Sequence, residues 1–189
     1  MMAIKVTKLK NGIKKGTQVP FKQQNGNVGN WAQQELKNNG YELNTGKGPD
    51  SPSMGVEYKT RKLKSTSAHT IGSMTIQDIK NVEYEDSTVR EKLLSQYRIH
   101  YDDDLGVVTD EGVYDFSDSD IQKKLKQAYE LGRQKIINGN RDEYIPCGTW
   151  GQFEKTNNGK SYVFRIPNGA MKKLETMAKN SKTFNRLFK

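Results

Sequence analysis

Pro49-Asp50-Ser51-Pro52-Ser53-Met54-Gly55-Val56-Glu57-Tyr58-Lys59-Thr60 is the stretch around which the rest of the chain is read. Met54, Val56 and Tyr58 alternate with Gly55, Glu57 and Lys59. As a strand of period two, this sends Glu57 and Lys59 to one face and the apolar side chains to the other. Asp50 enters from the turn that Pro49 and Pro52 stiffen. Two carboxylates side by side suit Mg²⁺, a hard cation that keeps several waters and takes a further ligand from a substrate phosphate. A lysine two residues along the same face is placed to hold, or help deprotonate, an attacking water. The pattern is not specific by itself. A loosely spaced Asp followed by Glu-x-Lys arises by chance about once in a chain of this length and ordinary charge content, and a solvent-facing strand edge would carry the same Glu and Lys.

Composition narrows the field. With 189 residues, the whole chain (1–189) is expected to be a single domain with a basic N-terminal arm over 1–23. Hydrophobic residues make up 33% of the chain and mean hydropathy is −0.90, so the core is lean and the surface very polar. Net charge is +9 and the isoelectric point is near 9.4. No acid precedes Glu35, whereas Lys5, Lys8 and Lys10 fall in the first turns of chain with Lys14, Lys15 and Lys22 behind them. From Lys155 to Lys189 nine bases face the single acid Glu175, while Asp102 to Asp120 holds eight acids and no base. Basic ends around an acidic middle read as one face for a polyanion and another kept away from it; a solvated charge run is the plainer alternative for either end. The single Cys147 excludes an intrachain disulfide and a cysteine-based zinc site, and His69 and His100 are too few for a histidine-metal nuclease. No apolar leader or membrane-length run occurs, so a cytoplasmic protein without membrane contact is expected.

In chain order, the alternation from Ile4 to Lys10 reads as a strand or a loose arm. The spacing of Val28, Trp31, Ala32 and Leu36 predicts a helix over 28–38, ending at Asn38-Asn39-Gly40. Gln33 and Glu35 lie on it about 200° apart, so only one can face a site on the strand of Glu57. After that strand comes the basic run Arg61-Lys62-Leu63-Lys64, and then a strand over 69–76. Thr88-Val89-Arg90-Glu91 has the form of a capping box opening a short helix. Strands are expected at 97–101 and 106–116, and a long helix capped by Ser117 or Asp118 runs to about Asn138, with Ile121, Leu125, Ala128, Tyr129, Ile136 and Ile137 inward. Gly139 ends it. Thr156-Asn157-Asn158-Gly159 reads as a hairpin turn, and 169–179 as a last amphipathic helix.

The quoted stretch resembles the MutH-like family of mismatch-repair nicking endonucleases and GATC-cutting restriction enzymes, within the PD-(D/E)xK nuclease superfamily. Pro49-Asp50 followed by Gly55-Val56-Glu57-Tyr58-Lys59-Thr60 is similar to its Asp, six residues, Glu-x-Lys core. Val89-Arg90-Glu91-Lys92-Leu93 resembles the segment carrying a further active-site lysine, here Lys92. Val28-Gly29 with Leu36 resembles the opening of the first helix, where Gln33 stands in place of the family's glutamate; either Gln33 or Glu35 takes that role. Tyr144-Ile145-Pro146-Cys147-Gly148-Thr149-Trp150-Gly151 falls where the family reads bases, which implicates Thr149 and Trp150; the latter could equally be core. Phe164-Arg165-Ile166-Pro167-Asn168-Gly169-Ala170-Met171 resembles a second recognition segment containing Arg165, departing from the family at Ala170.

The resemblance implies an α/β (mixed α+β) fold with a PD-(D/E)xK restriction-endonuclease-like core, a central mixed sheet flanked by helices. It also implies a Mg²⁺-dependent, sequence-specific double-stranded DNA endonuclease acting at a GATC-like site, with Mn²⁺ able to substitute. Asp50 and Glu57 would hold the metal, Lys59 would position the attacking water and Lys92 would neutralise the phosphate. Lys5, Lys8 and Lys10 would add sequence-independent affinity. Restriction-type cleavage, including by a homodimer on DNA, stands beside two alternatives: a nickase activated by a partner protein, and a non-catalytic DNA-binding module on the same fold.

Overall fold

A computed structural model describes residues 11–20 and 27–179. Lys5, Lys8, Lys10 and the expected strand before Asn11 lie outside the described residues. The first helix forms where its apolar spacing predicts, α1 (Val28–Asn38), with the Asn27 carboxamide oxygen accepting from the Gly29 N–H at 2.9 Å as its cap. Next come β1 (Glu57–Lys62), β2 (His69–Thr75), α2 (Ile76–Asn81), a 3-10 turn (Tyr84–Asp86), α3 (Thr88–Lys92), β3 (Ser95–Asp102) and β4 (Val107–Asp115). The long helix α4 (Ser119–Ile137), strands β5 (Tyr144–Pro146), β6 (Gln152–Lys155) and β7 (Ser161–Ile166), and α5 (Asn168–Lys179) complete the order. No helix among the described residues is long and apolar enough to cross a membrane.

The fold is mixed α+β, but its strands do not form one central sheet. β1 pairs parallel with β3 and β3 antiparallel with β4, giving a mixed three-stranded sheet, while β2-β7-β6-β5 is a separate antiparallel sheet of four. The reason lies in the seam between β1 and β2. Side chains bridge it where a backbone ladder would have been needed: Arg98 on β3 donates to His69 Nδ1 at 2.8 Å, and Arg61 on β1 and His69 on β2 both reach the Asn168 carboxamide oxygen, at 3.0 and 3.1 Å.

Two apolar cores form, and Tyr114 of β4 joins the one built on the second sheet. Ala32 and Leu36 of α1 pack on Val56, Tyr58, Tyr97 and Ile99, whereas α4 buries Ile121, Leu125, Ala128, Tyr129 and Ile136 against Phe153, Tyr162 and Phe164. Two close approaches fix α4 on the second sheet. A β-carbon at Gly132 would lie 2.5 Å from Cys147 Sγ and from the Phe153 ring, and one at Gly151 would lie 2.5 Å from the Phe164 ring.

Three local expectations are corrected. Ile76 starts α2 rather than ending a strand, because the Thr75 hydroxyl accepts from the Asp78 N–H at 3.0 Å and caps a helix there. The cap of α3 is Ser87, one residue before the expected Thr88; its hydroxyl accepts from the Arg90 N–H at 3.1 Å and donates to the Tyr84 carbonyl at 2.8 Å. Ile137 is not inward but 38% exposed, since it is the last residue of α4 and the helix leaves the core there.

Candidate active site

The loop leading into β1 is built by hydrogen bonds that its own sequence supplies. Ser51 and Val56 exchange backbone bonds at 2.8 and 3.1 Å, closing a small turn across Pro52 to Gly55, where Gly55 takes a positive φ of 65° that suits glycine. Glu42 braces this turn from outside, its Oε2 accepting from the Ser53 N–H at 3.0 Å, the Ser53 hydroxyl at 2.6 Å and the Ser51 hydroxyl at 3.3 Å. These bonds hold its carboxyl below the ordinary range. The Tyr58 hydroxyl donates to the Glu42 carbonyl at 2.8 Å, and burial pushes that phenol up to about 12.

The turn folds Asp50 back onto the first residues of β1. Asp50 Oδ2 accepts from the Tyr58 N–H at 2.9 Å, and the Asp50 N–H donates to Glu57 Oε2 at 3.2 Å. Both carboxylates are largely withdrawn from solvent, 9% exposed for Asp50 and 3% for Glu57. Lys59 Nζ lies 2.9 Å from Glu57 Oε1, and Lys92 Nζ reaches the same oxygen at 3.3 Å from α3. Lys59 Nζ also lies 3.5 Å from the Ile71 carbonyl, at the point where the register of β2 slips. Gln33 of α1 donates from Nε2 to Asp50 Oδ1 at 3.3 Å.

Five of the residues singled out from sequence therefore meet in one place: Asp50, Glu57, Lys59, Lys92 and Gln33. The alternative left open on α1 resolves to Gln33. Glu35 faces the other way, into a surface hollow with Ile13, Lys14 and Thr17. The proposed base-reading residues are not part of this cluster. Thr149 is exposed after β5, the far edge of the second sheet and three strands from β2. Trp150 packs partly buried on the second core, with Lys124 Nζ 5.5 Å above its ring. Arg165 on β7 lies beside Glu154, with Nε 3.3 Å from Oε2, and borders a cleft that also contains Lys59 and Gln33.

The carboxylate pair suits a divalent cation. Both lysines go to Glu57, while Asp50 receives only neutral donors. Burial, and then the neighbouring Glu57 charge, raise the Asp50 carboxyl above its ordinary 3.8, opposed by the Tyr58 N–H and by the lysines. Asp50 thus has no cation bonded to it directly, although Lys59 and Lys92 on Glu57 balance the pair overall, and the two carboxylates are the hard oxygen donors that Mg²⁺ or Mn²⁺ takes. No group of three or more His, Cys, Asp or Glu side chains that could hold a metal gathers among the described residues. A cation held by Asp50 and Glu57 would therefore fill its shell with water and substrate.

Sequence reading missed the polar network beside the site. Arg98, 1% exposed, lies 2.9 Å from Glu175 Oε1 through Nε and bonds Gln96 at 2.7 Å through Nη1. His69 accepts at Nδ1 from Arg98, so its proton sits on Nε2 and is donated to Asn168. Burial and the Arg98 charge push its imidazolium down to about 3, and the ring is neutral. The basic run starting at Arg61 was the one legible trace of this network. Comparison with known proteins finds no matching family model and no matching curated protein.

Proposed function

We propose that this chain is a Mg²⁺-dependent endonuclease that hydrolyses phosphodiester bonds in double-stranded DNA, on a PD-(D/E)xK-type core. The observation that carries the reading is the convergence of Asp50, Glu57, Lys59, Lys92 and Gln33 from four separate segments onto one pair of buried carboxylates. Chance charge patterns in a sequence do not predict that a lysine 35 residues beyond Glu57 reaches its oxygen.

When bound, the cation supplies Lewis acidity to the phosphoryl oxygen. The chain's own groups do the rest. Lys59, held between Glu57 and the Ile71 carbonyl, donates toward an incoming water and orients it. Lys92 presents a second ammonium to the charge that builds on the phosphate oxygens, with both cations in place before reaction. Gln33 keeps Asp50 turned toward Glu57.

The test is incubation of purified protein with supercoiled plasmid in Mg²⁺, in Mn²⁺ and in chelator, with Glu57→Ala alongside. Metal-dependent linear product is expected. Nicked product alone would move the reading to a nickase, and intact plasmid in every metal would overturn it.

A further inference from the structure

Beside Lys59 a cleft of about 460 Å³ opens between α1, β1 and β2. Its walls carry four cations, Lys59, Arg61, Arg98 and Arg165, and no acid; its one histidine, His69, is neutral. Three of the cations have carboxylate partners: Lys59 has Glu57, Arg98 has Glu175 and Arg165 has Glu154. Among the described residues no carboxylate pairs with Arg61. Its guanidinium is nevertheless fixed, through the Ser65 carbonyl at 3.2 Å, the Ser67 carbonyl, and the Asn168 carboxamide oxygen at 3.0 Å. Burial, and next the like charge of Arg98, make the Arg61 proton less firmly held than usual, only partly opposed by the more distant Glu175 carboxylate. A cation fixed in place and crowded by another cation is stabilised by an anion. The cleft on the Lys92 side differs, for it contains Asp78 and Asp86.

We infer that the cleft on the α1 side holds a backbone phosphate of the strand being cut, next to the scissile one, with Arg61 as its ligand and Asn168 as the residue that positions Arg61. The Nη2 hydrogens of Arg61 are taken by the Ser65, Ser67 and Asn168 oxygens and Nη1 lies 3.4 Å from the Ser67 hydroxyl, so Nε and Nη1 are the groups that would meet a phosphate oxygen, in a charge-assisted bond. The cleft shares Lys59 and Gln33 with the catalytic cluster, so a strand whose scissile phosphate sits at Glu57 continues into it. The inference rests on the nuclease reading.

The experiment measures duplex binding in chelator, where no cleavage occurs, for wild type, Arg61→Ala, Arg61→Lys and Asn168→Ala. Arg61→Ala should weaken cognate and random duplexes alike and reduce the slope of log K against log salt by about 0.9, the share of a single phosphate. Arg61→Lys should keep the slope and lose affinity, as should Asn168→Ala, which leaves the charge but frees it. Scanning one neutral methylphosphonate along the strand should reveal a position where wild type loses affinity and Arg61→Lys loses less. The wild-type scan and the lysine variant decide the matter even where the alanine variant misfolds by circular dichroism. A wild type that binds DNA, with Arg61 variants equal to it in affinity and slope, overturns the inference and leaves the nuclease reading standing. A wild type that does not bind duplex DNA removes both.

Discussion

Asp50 is in conflict with its surroundings, and this gives it an effect on stability opposite in sign to that of most acids. Its carboxyl is raised in the fold above 3.8, so the native state prefers the protonated form. That contribution is complete below the unfolded value and is lost as pH rises through the raised folded value. At neutral pH the ionised group therefore costs stability, and Asp50→Asn should raise the thermal midpoint while abolishing cleavage. Gln33 can rotate its amide to accept from the new carboxamide. A lower midpoint by circular dichroism would make Asp50 a structural acid. For Glu57→Ala, cleavage should vanish while DNA binding stays within a few-fold or tightens, because negative charge leaves the phosphate's vicinity; a gel-shift titration measures this. Gln33→Ala should slow cleavage about 10–100-fold, the usual scale for a group that orients a metal ligand. Glu35→Ala, on the opposite face, should leave single-turnover rates unchanged.

The elements deliver these side chains with unequal security. α3 has only five residues, yet it brings Lys92 to Glu57, and it depends on the Ser87 cap. Ser87→Ala should cost about 1 kcal/mol of stability and reduce cleavage further than that loss explains, since Lys92 loses its platform; denaturant midpoint and rate are read together. In α4, Gly132→Ala should destabilise by about 1–3 kcal/mol, although alanine is the better helix former, because the added carbon meets Cys147 and Phe153. Wherever periodicity and punctuation decide, the elements were legible in sequence: Val28 to Asn38 by its apolar spacing, α4 by Asp118 and Gly139, the β6–β7 hairpin by Asn157-Asn158-Gly159. Hydroxyls at Thr75 and Ser87 were harder to place, because Ser and Thr adjoin several candidate starts and only the backbone chooses among them. The division into two sheets was not legible, as it turns on long-range polar bridges from Arg98 and Asn168 that leave no periodic mark. At the site, spacing gave Asp50, Glu57 and Lys59, and resemblance gave Lys92. Only geometry could choose Gln33 over Glu35, and nothing local marked the deeply buried Arg98 or the neutral His69.

Across the whole molecule, the surplus of nine positive charges is the property that a polyanionic partner meets first. Substituting Lys5, Lys8 and Lys10 with glutamine should weaken binding to every duplex alike and remove up to about 2.7 from the salt slope, 0.9 for each phosphate no longer neutralised. An unchanged slope in a fluorescence-anisotropy titration would place the arm outside the DNA footprint. The cluster at β1 has its own charge arithmetic. Asp50 and Glu57 are balanced by Lys59 and Lys92, so the site is close to electroneutral before any cation arrives. A divalent ion entering alone meets two ammonium groups as well as two carboxylates and gains little, whereas a phosphodiester brought by DNA supplies the missing negative charge. Metal and DNA should then bind cooperatively, each raising the other's affinity by the same factor, as linkage requires. Titration of Mg²⁺ by calorimetry, with and without a non-hydrolysable duplex, measures that factor. On the nuclease reading, a site built this way would stay without metal in free Mg²⁺ until the substrate supplied the missing charge.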